Sequence, residues 1–294
     1  LTHFDSSRII KGTTEVYGIL GDPISHSLSP VMQNHAFISC GMDAVFIPFR
    51  VKPEALPQAV ESLRALNVQG VNVTIPHKET VCSLLDDVDD AAKLIGAVNT
   101  IVNRQGRLVG YNTDGIGFIR SLKADLGFVC TSMTRVVLLG AGGAARAAVV
   151  ALAQQGVAHI CIVNRTQERA QELVDRYQQA FPDTVFSSAP FDENVLSSFF
   201  EKCELIINST SIGLSGESFN VVSWSNVSKN CVVYDMVYSP VGTPLVRDAI
   251  AAGFNACYGL GMLAAQGEEA FKLWTGKQLD GTMRNALDSY LSTL

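Results

Sequence analysis

The stretch VVLLGAGGAARAA, Val136–Ala148, decides the fold. An apolar run ends in a glycine, and an alanine-rich run follows without a proline to interrupt it. The short run reads as a buried strand and the longer one as a helix. Between them lies Gly140-x-Gly142-x-x-Ala145. Gly140 permits a tight turn, Gly142 lets a pyrophosphate approach the backbone, and Ala145 is small enough for helix and strand to pack closely. With Ala141, Gly143 and Ala144 the loop delivers spare N–H groups at a helix N-terminus, where an anion is favoured. A lone glycine pattern is weak, but inside a strand–turn–helix unit it points to a dinucleotide. Hydropathy alone would suggest a membrane span here. Arg146 and the glycines break the run where a spanning helix should be continuous.

The next strand selects the dinucleotide. A chain that holds the ribose 2′-hydroxyl of NAD usually offers Asp or Glu about 20 residues after the glycines. HICIVNRTQERAQ, residues 159–171, offers Asn164, Arg165 and Thr166 instead, with Arg169 one helical turn on. No carboxylate occupies the strand tip to repel a 2′-phosphate, and two guanidiniums can grip one, so NADP is expected over NAD.

Working outward, strand-like and helix-like runs alternate through most of the 294 residues. That pattern predicts an α/β protein with parallel strands. The first series runs from EVYGIL, through VNVTIP, to RLVGYN. In it Ser29 is placed to cap a helix that Gly41 ends, a second helix stops near Gly70, and HKETVCSLLD starts another. A helix over 115–126 and a polar linker, GFVCTSMT, lead into the glycine-loop series. The last two helices have no strands of their own and are expected to return to the first series. The expected domains are a discontinuous substrate domain, 1–113 and 260–294, and a Rossmann-type NADP-binding domain, 114–259.

A net charge of −6, with 17% charged residues, gives no basic excess for nucleic acid or an anionic membrane. Seven scattered cysteines form no Cys-x-x-Cys pair and the histidines no His-x-x-x-His pair, so neither a disulfide framework nor a metal site is expected. The opening LTHFDSSRIIKGTTEV reads as a polar extension rather than a signal peptide, and the expected location is the cytoplasm.

A nicotinamide cofactor implies hydride transfer, and the substrate then needs a group to exchange its proton. Lys78 in NVTIPHKE and Asp114 in GYNTDGIGF both follow strands, at the edge where α/β sheets bind ligands. Spacing alone leaves them equally a surface salt bridge or a proton-exchanging pair.

The chain resembles the shikimate dehydrogenases. The resemblance rests on GDPISHSLSP, NVTIPHKE, GAVNTIV, GYNTDGIGF, GAGGAARA, NRTQERA, NSTSIG, YDMVYSP and GLGMLAAQG, in the family's order between about residues 16 and 275. It implies reversible NADPH-dependent reduction of 3-dehydroshikimate to shikimate, within aromatic amino acid biosynthesis, by a monomer or homodimer. Lys78 and Asp114 would be the catalytic pair. Ser27 and Ser29 would hold the substrate carboxylate, with Thr74, Asn99 and Asp114 on the ring hydroxyls. Asn72 and Gln266 would complete the pocket and Tyr238 would close it. Gly142, Gly143 and Ala144 would approach the pyrophosphate, and Asn164, Arg165, Thr166 and Arg169 the adenosine phosphate. Thr210, Met236 and Gly259 would lie toward the nicotinamide. The family often has Phe where His77 stands, and His77 is read as a surface residue. The alternatives are a quinate/shikimate dehydrogenase of broader specificity and a catalytically silent NADP-binding regulatory module.

Overall fold

The computed structural model describes residues 9–213, 216–219, 221–238 and 242–293. The first eight residues of the polar extension, and Ser239–Pro240 of YDMVYSP, lie outside the described residues. The chain divides into two compact units: Leu1–Thr113 with Ala264–Leu294, and Asp114–Leu263.

In the first unit the strands are β1 (Glu15–Gly21), β2 (Ala44–Arg50), β3 (Gly70–Val73), β4 (Asp87–Val88), β5 (Thr100–Arg104) and β6 (Arg107–Tyr111). They form one sheet in the order β2-β1-β3-β5-β6-β4. The expectation of parallel strands needs correction here, because β5 runs antiparallel to both β3 and β6. The reason is local. Gln105 and Gly106 both have positive φ, 55° and 91°, and the two-residue turn that demands this joins antiparallel strands. Asn103 Oδ1 closes it by accepting the Gly106 N–H at 2.8 Å.

The helices of this unit are α1 (Ser29–Ser39), α2 (Leu56–Ala65) and α3 (Asp90–Ile95). Leu56, Val60 and Leu63 of α2 are buried in one cluster with Val71, Val73, Val98, Ile101 and Leu108. At the end of α1, Gly41 N–H donates to Ile38 O at 3.0 Å and Met42 N–H to Phe37 O at 2.9 Å, satisfying its last carbonyls. The same closure ends α2 earlier than expected. Asn67, at φ 49°, turns the chain five residues after Ser62, so the helix stops at Ala65 rather than near Gly70. Residues Thr80–Leu84 form a 3₁₀ turn instead of the start of an α-helix.

The second unit contains β7 (Arg135–Leu139), β8 (His159–Val163), β9 (Val185–Ala189), β10 (Leu205–Asn208), β11 (Val232–Asp235) and β12 (Asn255–Tyr258). The order is β12-β11-β10-β7-β8-β9, and every neighbouring pair is parallel. Counted from β7, this is the 3-2-1-4-5-6 order of a doubly wound dinucleotide-binding sheet, whose order reverses between β7 and β10. Its helices are α4 (Asp114–Leu126), α5 (Gly143–Gln154), α6 (Gln167–Ala180), α7 (Glu193–Phe200) and α8 (Pro244–Ala251). The sequence reading passes over β9, α7 and β12. β9 is an edge strand, VFSSA, with little apolar pattern, and α7 announces itself only through Asp192, whose side chain accepts from Asn194 N–H and Val195 N–H.

α9 (Leu260–Thr275) and α10 (Thr282–Leu291) complete the chain, and α10 packs on α1. Among the described residues no helix is long and apolar enough to cross a membrane. The run 136–153 is a strand, a loop and a helix.

Candidate active site

In the first unit, the carboxyl ends of β1 and β3 are tied into one shelf. Thr74 N–H donates to Leu20 O at 2.9 Å, and Asp22 N–H to Ile75 O at 3.1 Å. The chain then passes Ser27 and enters α1. Ser29 is the first residue of that helix rather than its cap, a role Leu28 takes without a side-chain bond. Pro30 follows, where a missing N–H costs nothing. Ser27, half-buried, accepts the Ser29 N–H on Oγ at 3.3 Å, which leaves its own hydroxyl hydrogen for another acceptor.

Behind the shelf lies a buried polar cluster. Asn72 on β3, Asn99, Thr100 at the start of β5, Thr113 and Gln266 on α9 are each at most 9% exposed. Asn99 Oδ1 accepts from Thr113 N–H at 2.9 Å, and Asn99 Nδ2 donates to Thr113 Oγ1 at 2.9 Å and to Gln266 Oε1 at 3.4 Å. Asn72 Nδ2 donates to Asn99 O at 3.2 Å and to Thr100 Oγ1 at 3.1 Å. Polar side chains buried this completely in an apolar sheet are costly unless paired, so the pairing fixes their orientation.

Lys78 is half-buried and its carbonyl accepts the Val98 N–H at 2.8 Å, one residue before Asn99. The preceding His77 is not a surface residue. It is 1% exposed, and its Nε2 lies 2.6 Å from Val51 O, so the ring fills the space between the end of β2 and the Lys78 turn. Thr113 leads directly into Asp114, 5% exposed at the start of α4. The structure thus brings Asn72, Asn99 and Gln266 together and ties the Thr74 and Lys78 loop to them. Thr100 and Thr113 belong to the same cluster but were not singled out in the sequence. Their signal is the pair of Asn-Thr dipeptides in GAVNTIV and GYNTDGIGF, polar residues where the strand pattern calls for apolar ones.

In the second unit, Gly140 ends β7 at φ 114°, and a β-carbon there would stand 2.5 Å from Ser209 Oγ. Only glycine fits. Gly142 precedes α5 and Gly143 opens it, and a β-carbon on either would meet nothing within 4 Å. Ala145 is fully buried beneath the loop. The fit to a pyrophosphate is direct: open space lies over Gly142 and Gly143, beside the uncommitted first N–H groups of a helix, in the crevice where the strand order reverses.

The tip of β8 carries Asn164, whose Nδ2 donates to Thr166 O at 2.9 Å and folds the amide over the turn. Arg165, Thr166 and Arg169 are exposed, and the three positions Asn164–Thr166 hold no carboxylate. At the tips of β10 and β11, Asn208 and Asp235 face each other in register, with Asn208 Nδ2 donating to Asp235 Oδ1 at 2.8 Å. Asn208 Oδ1 also accepts from Thr210 N–H and Thr210 Oγ1, at 2.9 and 2.8 Å. Burial pushes the Asp235 carboxyl up to about 6, against hydrogen bonds from Thr243, Val237 and Asn208 that pull it down. Met236 follows, its N–H donating to Asn208 O at 2.8 Å. A side chain on Gly259 would collide with the Met236 carbonyl, so these two residues can only pack backbone to backbone. Tyr238 is half-buried at the end of the described part of that loop.

Comparisons with known proteins agree along the chain. Residues 19–101 match the shikimate dehydrogenase substrate binding domain, 123–214 the shikimate/quinate 5-dehydrogenase family, and 259–287 the shikimate 5′-dehydrogenase C-terminal domain. The chain is 48% identical over 269 residues to the NADP(+) shikimate dehydrogenase of Geobacter metallireducens, covering 92% of this chain and 94% of that one. The solved shikimate dehydrogenase of Aquifex aeolicus superposes with a TM-score of 0.85 at 38% identity, over 95% of this chain and 99% of its own. The enzyme of Thermus thermophilus, solved in complex with NADP(H) and shikimate, gives 0.83 at 35% identity, over 94% and 99%. With family matches in both units and near full-length relatives at this identity, the chain belongs to the shikimate dehydrogenase family.

Proposed function

We propose that this chain is an NADP-dependent shikimate dehydrogenase, which reduces the ketone of 3-dehydroshikimate to the alcohol of shikimate and catalyses the reverse. The observation that carries the reading is the buried Asn72–Asn99–Thr113–Gln266 cluster, tied by backbone bonds to the Lys78 turn. A lysine beside several orienting amides suits a small, hydroxyl-rich ligand that exchanges one proton.

Residues 1–113 and 260–294 act as the substrate domain and 114–259 as the NADP-binding domain. NADP, when bound, supplies or accepts the hydride. Gly140, Ala141, Gly142, Gly143 and Ala144 would hold its pyrophosphate, with Asn164, Arg165, Thr166 and Arg169 on its 2′-phosphate and Thr210, Met236 and Gly259 toward its nicotinamide. Lys78, as ammonium, gives its proton to the substrate oxygen as the ketone becomes an alcohol, and takes it back in the reverse reaction. Asp114 orients that exchange. Its backbone follows Thr113, which Asn99 fixes. Ser27 and Ser29 hold the carboxylate with hydroxyls and the start of α1, so no arginine need be buried. Thr74 and Asn99 contact ring hydroxyls, and Asn72 and Gln266 complete the pocket. Its seven free cysteines fit a reducing cytoplasm.

The test is the initial rate of nicotinamide reduction with shikimate and with quinate, each paired with NADP and with NAD. Activity confined largely to shikimate with NADP is expected. Comparable rates with quinate or NAD would move the chain to broader specificity, and silence in all four from a folded protein would overturn catalysis.

A further inference from the structure

Thr100 stands directly opposite Asn72 in the antiparallel register of β3 and β5, and it is fully buried. Two backbone groups leave no choice about the amides on either side of it. A carbonyl can only accept, so the Asn72 atom 3.2 Å from Asn99 O must be the Nδ2 donor. A backbone N–H can only donate, so the Asn99 atom 2.9 Å from Thr113 N must be the Oδ1 acceptor. Thr100 Oγ1 lies between these two fixed ends. It accepts from Asn72 Nδ2 at 3.1 Å and donates its single hydrogen to Asn99 Oδ1 at 2.9 Å.

The chain of bonds therefore has one direction, from Asn72 Nδ2–H through the Thr100 hydroxyl to Asn99 Oδ1. Its consequence falls on the other end of Asn72. Asn72 Oδ1 is buried and has no hydrogen-bond partner among the described residues. A buried acceptor without a donor is unfavourable by itself, and a ligand O–H satisfies it.

We infer that Thr100 is a positioning residue for substrate recognition: its hydroxyl holds Asn72 with Oδ1 as an acceptor for a substrate hydroxyl. The inference rests on the proposal that Asn72 and Asn99 line the substrate site. The oxygen that reacts is a carbonyl in one state and cannot donate then. Asn72 Oδ1 accordingly serves a ring hydroxyl that remains a hydroxyl in both substrate and product. Without the Thr100 hydroxyl, Asn72 Nδ2 keeps only the Asn99 carbonyl as an acceptor and Asn99 Oδ1 loses one donor, so each amide is held by fewer bonds and its oxygen is presented less firmly.

The test compares Thr100→Val, Thr100→Ser and Asn99→Ala by steady-state kinetics with shikimate and NADP. Thr100→Val keeps the side-chain shape and removes the hydroxyl. Its shikimate KM is expected to rise about tenfold, the scale of one buried hydrogen bond, while kcat falls less than threefold and the NADP KM stays put. Thr100→Ser restores the hydroxyl and is expected to bring the shikimate KM back within threefold of the parent. An unchanged KM in Thr100→Val, or a tenfold rise in folded Thr100→Ser, overturns the inference. Should Thr100→Val not fold, Thr100→Ala takes its place: a shikimate KM raised about tenfold in Thr100→Ala but not in Thr100→Ser supports the hydroxyl's role, and an unchanged KM overturns it. Asn99→Ala separates the two levels of the argument. A raised shikimate KM there, with no effect of Thr100→Val, overturns the positioning role alone. An unchanged KM in Asn99→Ala overturns the substrate site itself.

Discussion

The backbone N–H of Thr113 donates to the side-chain oxygen of Asn99 at 2.9 Å. One amide thereby fixes the residue immediately before Asp114, and the same amide's nitrogen reaches Gln266 Oε1 at 3.4 Å. Groups from the β5 entry, the β6 exit and α9 meet at this one side chain, and Asn72 of β3 reaches the backbone carbonyl of the same residue.

Lys78→Ala removes the proposed proton donor while leaving this cluster intact. We expect turnover to fall about a thousandfold, within the range for losing one general acid, with shikimate binding changed only a fewfold. Single-turnover rates together with equilibrium titration of shikimate check this. Near-normal turnover would remove Lys78 from the chemistry.

Exposed Arg165 stands just past the tip of β8, where no carboxylate is present, and exposed Arg169 lies in the first turn of α6. Replacing both by alanine should weaken NADP ten- to a hundredfold or more, at about 1.5–3 kcal/mol for each charge-assisted bond before solvent screening. The NAD KM should change little. Equal losses for both cofactors would show that the arginines do not read the phosphate.

Gly140→Ala forces a side chain into a φ of 114° and against Ser209 Oγ. A loss of about 1–3 kcal/mol in stability is expected, seen as a lower thermal midpoint, together with a raised NADP KM. An alanine variant with the parent's midpoint and cofactor affinity would remove the constraint.

Asp235 gives the second unit a pH dependence of definite sign. Its carboxyl is raised by burial from 3.8 to about 6, so the unfolded chain ionises first as pH rises. The contribution to stability is fully present below about pH 4 and is lost as pH rises through 6. Asp235→Asn keeps an oxygen for Asn208 Nδ2–H and Val237 N–H and cannot ionise. It should stabilise the protein at pH 7.5 by about 2–3 kcal/mol, at ~1.4 kcal/mol per pH unit, and do nothing at pH 4. Denaturant midpoints at the two pH values check this, and equal effects at both would contradict the assignment.

Much of this molecule is legible in its sequence because the relevant physics is local. The glycine loop is written in thirteen consecutive residues, and β7, the turn and α5 follow from periodicity and from the one conformation Gly140 allows. The arginine-bearing tip of β8 is equally local, since strand end and helix start are neighbours in the chain. The sequence misleads where two local signals compete. Asn67 ends α2 before Gly70 can, and the turn at Gln105–Gly106 makes β5 antiparallel in a chain that otherwise reads as parallel.

The sequence by itself determined which residue types stand at the ends of the strands: serines before α1, asparagines at β3 and β5, a lysine after β3 and arginines after β8. Only the tertiary structure decided what those side chains present. His77 is buried against Val51, 26 residues away, and Asn99 meets Gln266 across 167 residues. An amide shows its oxygen or its nitrogen to a ligand according to which backbone donors and acceptors have already taken its other end. Those partners come from strand register and helix packing, which no local pattern encodes.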